Sequence, residues 1–156
     1  MFVKIAFADR VDVLLERSRP ERPAARFNRT GRDALYLSVD EASARVAMTR
    51  HARAGDPPRV LVRYAIGACR VVDLGHPEAR ALRERAAGDW RAALARGEEP
   101  ESWRVVDELG RAGEVGLIDP SRRRPGLWHL TLLRWNEPGA PAVERVGDPV
   151  PIILEP

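Results

Sequence analysis

Short β-rich runs stand at both ends of this chain and helix-coded stretches fill its middle, an order that limits the folds open to it. A doubly wound parallel sheet needs strand and helix to alternate along the whole length. Here Phe2–Phe7 and residues 33–38 read as strands, and Arg59–Ile66 and residues 68–74 as two more, parted by Gly67 in a predicted hairpin. Residues 77–87, 89–95 and 102–112 then read as helices. Pro77 suits a first turn, Gly97 and Gly113 lie just past two helix ends, and Trp103, Val106 and Leu109 share a face. Residues 115–118, 127–134, 143–146 and 150–154 return to strand. The pattern predicts an α+β fold, a mostly antiparallel or mixed sheet with a helical middle segment. Neither a Gly-x-Gly-x-x-Gly run nor a P-loop occurs, so a Rossmann fold and a P-loop NTPase are not indicated.

The first half carries more local signals. Residues 10–17 predict a short helical turn, and residues 19–31, with two prolines, Asn28 and Gly31 among arginines, a loop. Ser38-Val39-Asp40-Glu41 matches a capping box with Ser38 at the N-cap, so a helix is expected to about Ala52, stopping before Gly55-Asp56-Pro57-Pro58. At 156 residues the chain is expected to form one domain over 1–156.

Composition excludes several classes. Hydrophobic residues make up 44% and charged residues 31%, which is globular rather than disordered. Apolar runs are too short to span a membrane, and acidic residues follow the N-terminus too soon for a secretory or transit peptide, so a cytoplasmic location is expected. Cys69 is the only cysteine, which excludes an intrachain disulfide and a cysteine-based zinc site. His51, His76 and His129 lack paired spacing, so no metal is expected. His51 ends the predicted helix, where it could cap carbonyls, and His129 either faces a cleft or fills the sheet. The net charge is +3, with Lys4 the only lysine and 25 arginines interleaved with 23 acids, a mixed-charge surface rather than a nucleic-acid stripe. Only Ser121-Arg122-Arg123-Arg124-Pro125 concentrates positive charge, and it is too short to bind a duplex alone.

Three stretches stand out: residues 25–38, containing Arg26-Phe27-Asn28, Gly31 and Ala34-Leu35-Tyr36-Leu37-Ser38; residues 113–121, ending in Pro120-Ser121; and Leu132-Leu133-Arg134-Trp135-Asn136. In order and spacing, over nearly the whole chain, they resemble the RES domain. That resemblance implies an ADP-ribosyltransferase-like fold and a toxin that consumes NAD+ as its substrate. Attack would fall on the ribose carbon bearing nicotinamide, through an oxocarbenium-like transition state. The acceptor would be water, phosphate or a target protein. It further implies a cognate antitoxin with a helix-turn-helix part, so that DNA is reached only through that partner.

Carried over residue by residue, the resemblance gives Arg26 the grip on a phosphate or ribose through paired hydrogen bonds. Tyr36 either stacks against nicotinamide or is a plain core tyrosine, and Ser121 offers its hydroxyl to the nucleotide. Asn28 and Gly31 shape the turn. Two positions depart from the family pattern. Lys4 stands where an arginine is usual, keeping the charge and losing the fork. Ala47 stands where the helix after the tyrosine carries a catalytic glutamate, and Glu41 lies about a turn and a half earlier on another face. Alanine at 47 marks either an engineered inactive form or a degenerate member, with activity lost or weakened. Two functions therefore compete: an NAD+-cleaving toxin, and a non-catalytic module that keeps the nucleotide pocket for binding or regulation.

Overall fold

The computed structural model of the chain describes residues 1–154. Strand β1 (Phe2–Phe7) runs into a 3-10 turn (Ala8–Val13), then a long loop leads to β2 (Leu35–Ser38) and helix α1 (Glu41–Met48). Strands β3 (Arg59–Ile66) and β4 (Val72–Asp73) precede the helices α2 (Arg80–Ala86), α3 (Trp90–Ala95) and α4 (Glu101–Arg111). Strands β5 (Gly116–Pro120), β6 (Trp128–Leu132), β7 (Val143–Arg145) and β8 (Val150–Ile152) follow. They form one sheet in the order β4-β5-β6-β2-β1-β3-β7, with β8 beside β3. Every pair is antiparallel except β4 with β5. The α+β class with its helical middle holds. Among the described residues no helix is long and apolar enough to cross a membrane.

Two local expectations give way. The predicted hairpin between residues 59–66 and 68–74 does not form. β3 is nearly continuous in buried residues and sits between β1 and β7, while β4 keeps only two residues and joins β5 in parallel at the far edge. A strand buried on both faces needs partners on both sides, and Gly67 N–H continues toward Ala142 O (2.8 Å) instead of turning back. The cap of α1 is Asp40, whose carboxylate accepts from Ser43 N–H at 2.7 Å. Ser38 is unavailable as a cap because it ends β2, in register with His129 and Val3.

Strand alternation gives the sheet two faces. Leu35, Leu37, Val62, Tyr64, Leu130 and Leu132 pack on one, closed by the fully buried Trp135. The indole N–H of Trp135 donates to Leu15 O (2.9 Å), and Asn136, at φ +51°, exchanges two hydrogen bonds with the backbone of Val143. The Trp-Asn turn is thus a fold lock: Trp135 shares a core with Leu35 and Leu37 of the first motif, and Leu133 N–H donates to Val115 O of the second at 2.8 Å. The second face is covered in two patches. Leu117, Val105, Leu109 and Phe27 meet under α4, and Val3, Ile5 and Ala44 meet under α1. The gap between those patches is where a ligand can enter. Trp135→Ala should cost about 3–5 kcal/mol of stability, the range for truncating a buried aromatic, checked by denaturant unfolding.

Candidate functional site

The gap is a cavity of about 510 Å³, within the range of small-molecule sites. Its floor is two in-register rows across the sheet. One is Tyr36 and Thr131, which Leu117 continues into the core under α4; the next is Ser38, His129 and Asp119. Residues directly opposite on neighbouring strands point to the same face. Ser38 Oγ lies 3.1 Å from His129 Nδ1. Ala44, Ala47 and Met48 line the cavity from one side of α1, so position 47 faces the interior. Lys4, Arg26, Tyr36, Ala47 and Ser121, drawn from five separate stretches, all line this one cavity.

Each of these side chains is held in a definite way. The Tyr36 hydroxyl donates to Asn28 Oδ1 (2.7 Å) and accepts from Phe27 N–H (2.9 Å). The Tyr36 ring stacks with Phe27 at 6.5 Å between centroids. Asn28 in turn donates to Pro23 O (2.9 Å) and Arg29 O (3.0 Å), and Gly31 takes φ +76°, so both shape the loop that carries Arg26. Arg26 Nη1 donates to Ala86 O (3.1 Å) and Gly88 O (2.9 Å), where α2 ends. Arg122 Nη2 donates to the same Ala86 carbonyl at 3.0 Å. Two guanidinium groups thus sit at a helix C-terminus, where the carbonyls favour cations. Ser121 Oγ accepts weakly from the N–H groups of Arg123 and Arg124, both at 3.3 Å, and so tightens the arginine turn.

Lys4 enters through a split in the sheet. β1 and β2 pair only at Val3 and Ser38, and Lys4 Nζ reaches between them to donate to Tyr36 O at 3.2 Å. Burial, with Arg22 nearby, pushes its ammonium down to about 8. The cavity is strongly cationic. Lys4, Arg26, Arg50, Arg91, Arg122 and Arg123 line it against one acid among the described residues, Asp119. Burial, then the charges of Arg91, Arg59, Arg50 and Arg123, hold His51 below its usual range. Burial pushes the Asp119 carboxyl up to about 6, against the pull of Arg26. Sequence reasoning passed over Asp119, Arg50, Arg91 and Trp90. The signal for Asp119 was a charge in phase with the cavity-facing residues of an otherwise apolar strand. Among the described residues, no group of three or more His, Cys, Asp or Glu side chains gathers as a metal site.

The sequence model of the RES domain matches residues 8–155, and the chain belongs to the RES-domain family. A chain of the crystal structure of the M. tuberculosis MbcT–MbcA toxin–antitoxin complex has a similar fold, with a TM-score of 0.62 and 19% identity, covering 97% of this chain and 82% of that one. No curated protein matches.

The Asp119 carboxyl gives a stability prediction with a definite sign. Its folded value, about 6, lies above the ordinary 3.8. Its contribution is therefore complete below about pH 4 and is lost as pH rises to about 6. Relative to the wild type, Asp119→Asn should gain on the order of 1–3 kcal/mol between pH 4 and pH 7. Urea unfolding of both forms at the two pH values measures this; a difference that is flat or falls with pH contradicts the burial account.

Proposed function

We propose that this chain is the toxin of a toxin–antitoxin pair and that it cleaves NAD+ at the bond between nicotinamide and ribose. The observation that carries this reading is the convergence of Lys4, Arg26, Tyr36, Ala47 and Ser121 on one cavity ringed by cations. A dinucleotide brings a pyrophosphate, which suits Arg26, Arg122 and Arg123, and a flat cationic ring, which suits a pocket walled by Tyr36 and Phe27. Fixing the two ends of the substrate leaves the glycosidic carbon between them, where departure of nicotinamide builds positive charge. The ADP-ribose then passes to water, to phosphate or to a target protein. Family membership and the toxin–antitoxin complex among similar structures support the toxin role.

A second reading has one observation in its favour. Ala47 faces the cavity where the resemblance calls for glutamate, and a chain without that group could hold the nucleotide without cleaving it. The NAD+ cofactor would then be a ligand rather than a substrate.

The two readings part in a nicotinamide-release assay. The wild-type chain should bind NAD+ and release nicotinamide slowly. Arg26→Ala should weaken binding by about 10- to 100-fold, the loss of a charged hydrogen-bonding group. Ala47→Glu should raise release by on the order of 10²–10³, the worth of one preorganised charge-stabilising group, and should arrest growth of an expressing cell. Equal rates for the wild type and Ala47→Glu would remove position 47 from the catalytic seat. An antitoxin with a helix-turn-helix part should cover this cavity, bringing acidic or C-terminal carboxylate groups to Arg26, Arg122, Arg123 or Arg124. Co-expression with the adjacent gene product should give a stable complex that releases no nicotinamide. A chain that stays alone with its cavity open would count against this partner.

A further inference from the structure

We propose that Asp119 is a catalytic carboxylate of this pocket and supplies the negative charge that Ala47 does not. The inference rests on the NAD+ reading above and adds a residue to it.

Three features single out Asp119. It is the only acid lining the cavity among the described residues, facing six cations. Its position is set by the sheet: the ladder of β5 with β6 pairs it with His129, and His129 pairs with Ser38, so its side chain rises from the cavity floor beside the imidazole. Its side chain also makes no hydrogen bond among the described residues, unlike those of several other aspartates. Asp40 and Asp89 cap helices, Asp107 binds Arg29 with both oxygens, and Asp56 pairs with Arg59 at 2.7 Å. By contrast, the one ion pair of Asp119 among the described residues, to Arg122 Nη2, is 3.7 Å long, beyond hydrogen-bond range. A half-buried carboxylate with no hydrogen bond to the protein is costly to keep, and such a group in a cleft marks a functional site. Its carboxyl value near 6 leaves it mostly ionised at neutral pH and able to take up a proton.

The step balances with water as acceptor. The bond between the ribose C1′ and the nicotinamide nitrogen breaks, and its electron pair leaves with nicotinamide, which departs neutral. The ionised Asp119 stabilises the cation left on the ribose ring. A water oxygen bonds to C1′, and the water proton passes to Asp119 and then to solvent. Ser38 and His129 stand in the same row but not as a hydrolytic triad, since no hydrogen bond joins His129 to Asp119 among the described residues.

The test measures two quantities, the dissociation constant for NAD+ and the rate of nicotinamide release, in the wild type, Asp119→Asn, Arg26→Ala and the double variant Asp119→Asn/Ala47→Glu. Asp119→Asn is near-isosteric and removes a buried charge, so it should fold; thermal unfolding checks this. The expected result is a loss of release by about 100-fold or more with NAD+ binding changed less than about threefold, and recovery of release in the double variant. Undiminished release by Asp119→Asn, while Arg26→Ala still loses NAD+ binding, overturns the role of Asp119 and leaves the NAD+ reading standing. A double variant as inactive as Asp119→Asn alone also overturns it, since the aspartate would then be needed for the site's shape. NAD+ binding without any release by the wild type overturns both the cleavage reading and the proposal.

Discussion

The hydroxyl of Tyr36 ties the site to the sheet. With one hydrogen bond donated to Asn28 and one accepted from Phe27 N–H, it anchors a loop that has almost no regular structure of its own. Arg26 stands one residue before that anchor and reaches the end of α2. From there the Ala86 carbonyl passes the linkage on to Arg122 and the turn after β5. A short chain of hydrogen bonds therefore sets the spacing between the first motif and the second, which are about ninety positions apart in sequence. Removing the hydroxyl would leave a buried donor without a partner, a loss usually of about 1–3 kcal/mol. It would also loosen the loop from which Arg26 reaches the end of α2.

The charge arrangement follows from the same geometry. Arginines on the loop before β2, after α1, at the start of α3 and after β5 all turn toward one opening. Their mutual repulsion is eased by the helix-end carbonyls of Ala86 and Gly88 and by the charge of Asp119, 3.7 Å from Arg122. Most of the chain's acids instead serve surface ion pairs, such as Arg85 with Glu101 and Glu108, or Arg80 with Glu84, which contribute little each. The segregation explains how a chain with a net charge of only +3 can present a strongly cationic cavity.

Much of this was legible in the sequence, and the misses have physical reasons. Local signals located α4 to within one residue at each end and the strands at both termini, because apolar periodicity and glycine stops are local properties. Of the motif residues, Arg26, Tyr36 and Ser121 line one cavity, while Trp135 and Asn136 lock the sheet instead. The hairpin at Gly67 failed because strand pairing is settled by distant partners: β7 and β8, nearly eighty residues on, take the side of β3 that a hairpin partner would have used. The N-cap moved from Ser38 to Asp40 because β2 needed the serine in its ladder. Asp119 went unremarked because an aspartate before Pro120 reads as a turn former, and only the register with His129 turns it toward the cavity.

The borders of the sheet bear on how the molecule keeps its own company. On one side the outermost strand, β4, is two residues long. On the other, the side of β3 is covered by two separate three-residue pieces, β7 and β8, and the second has Pro151 at its centre, a residue with no N–H to offer. Among the described residues, neither border presents a run of unpaired amides long enough to template another strand. Folded copies of this chain crowded together therefore find little to grip along the margins of their sheets, which disfavours joining them edge to edge.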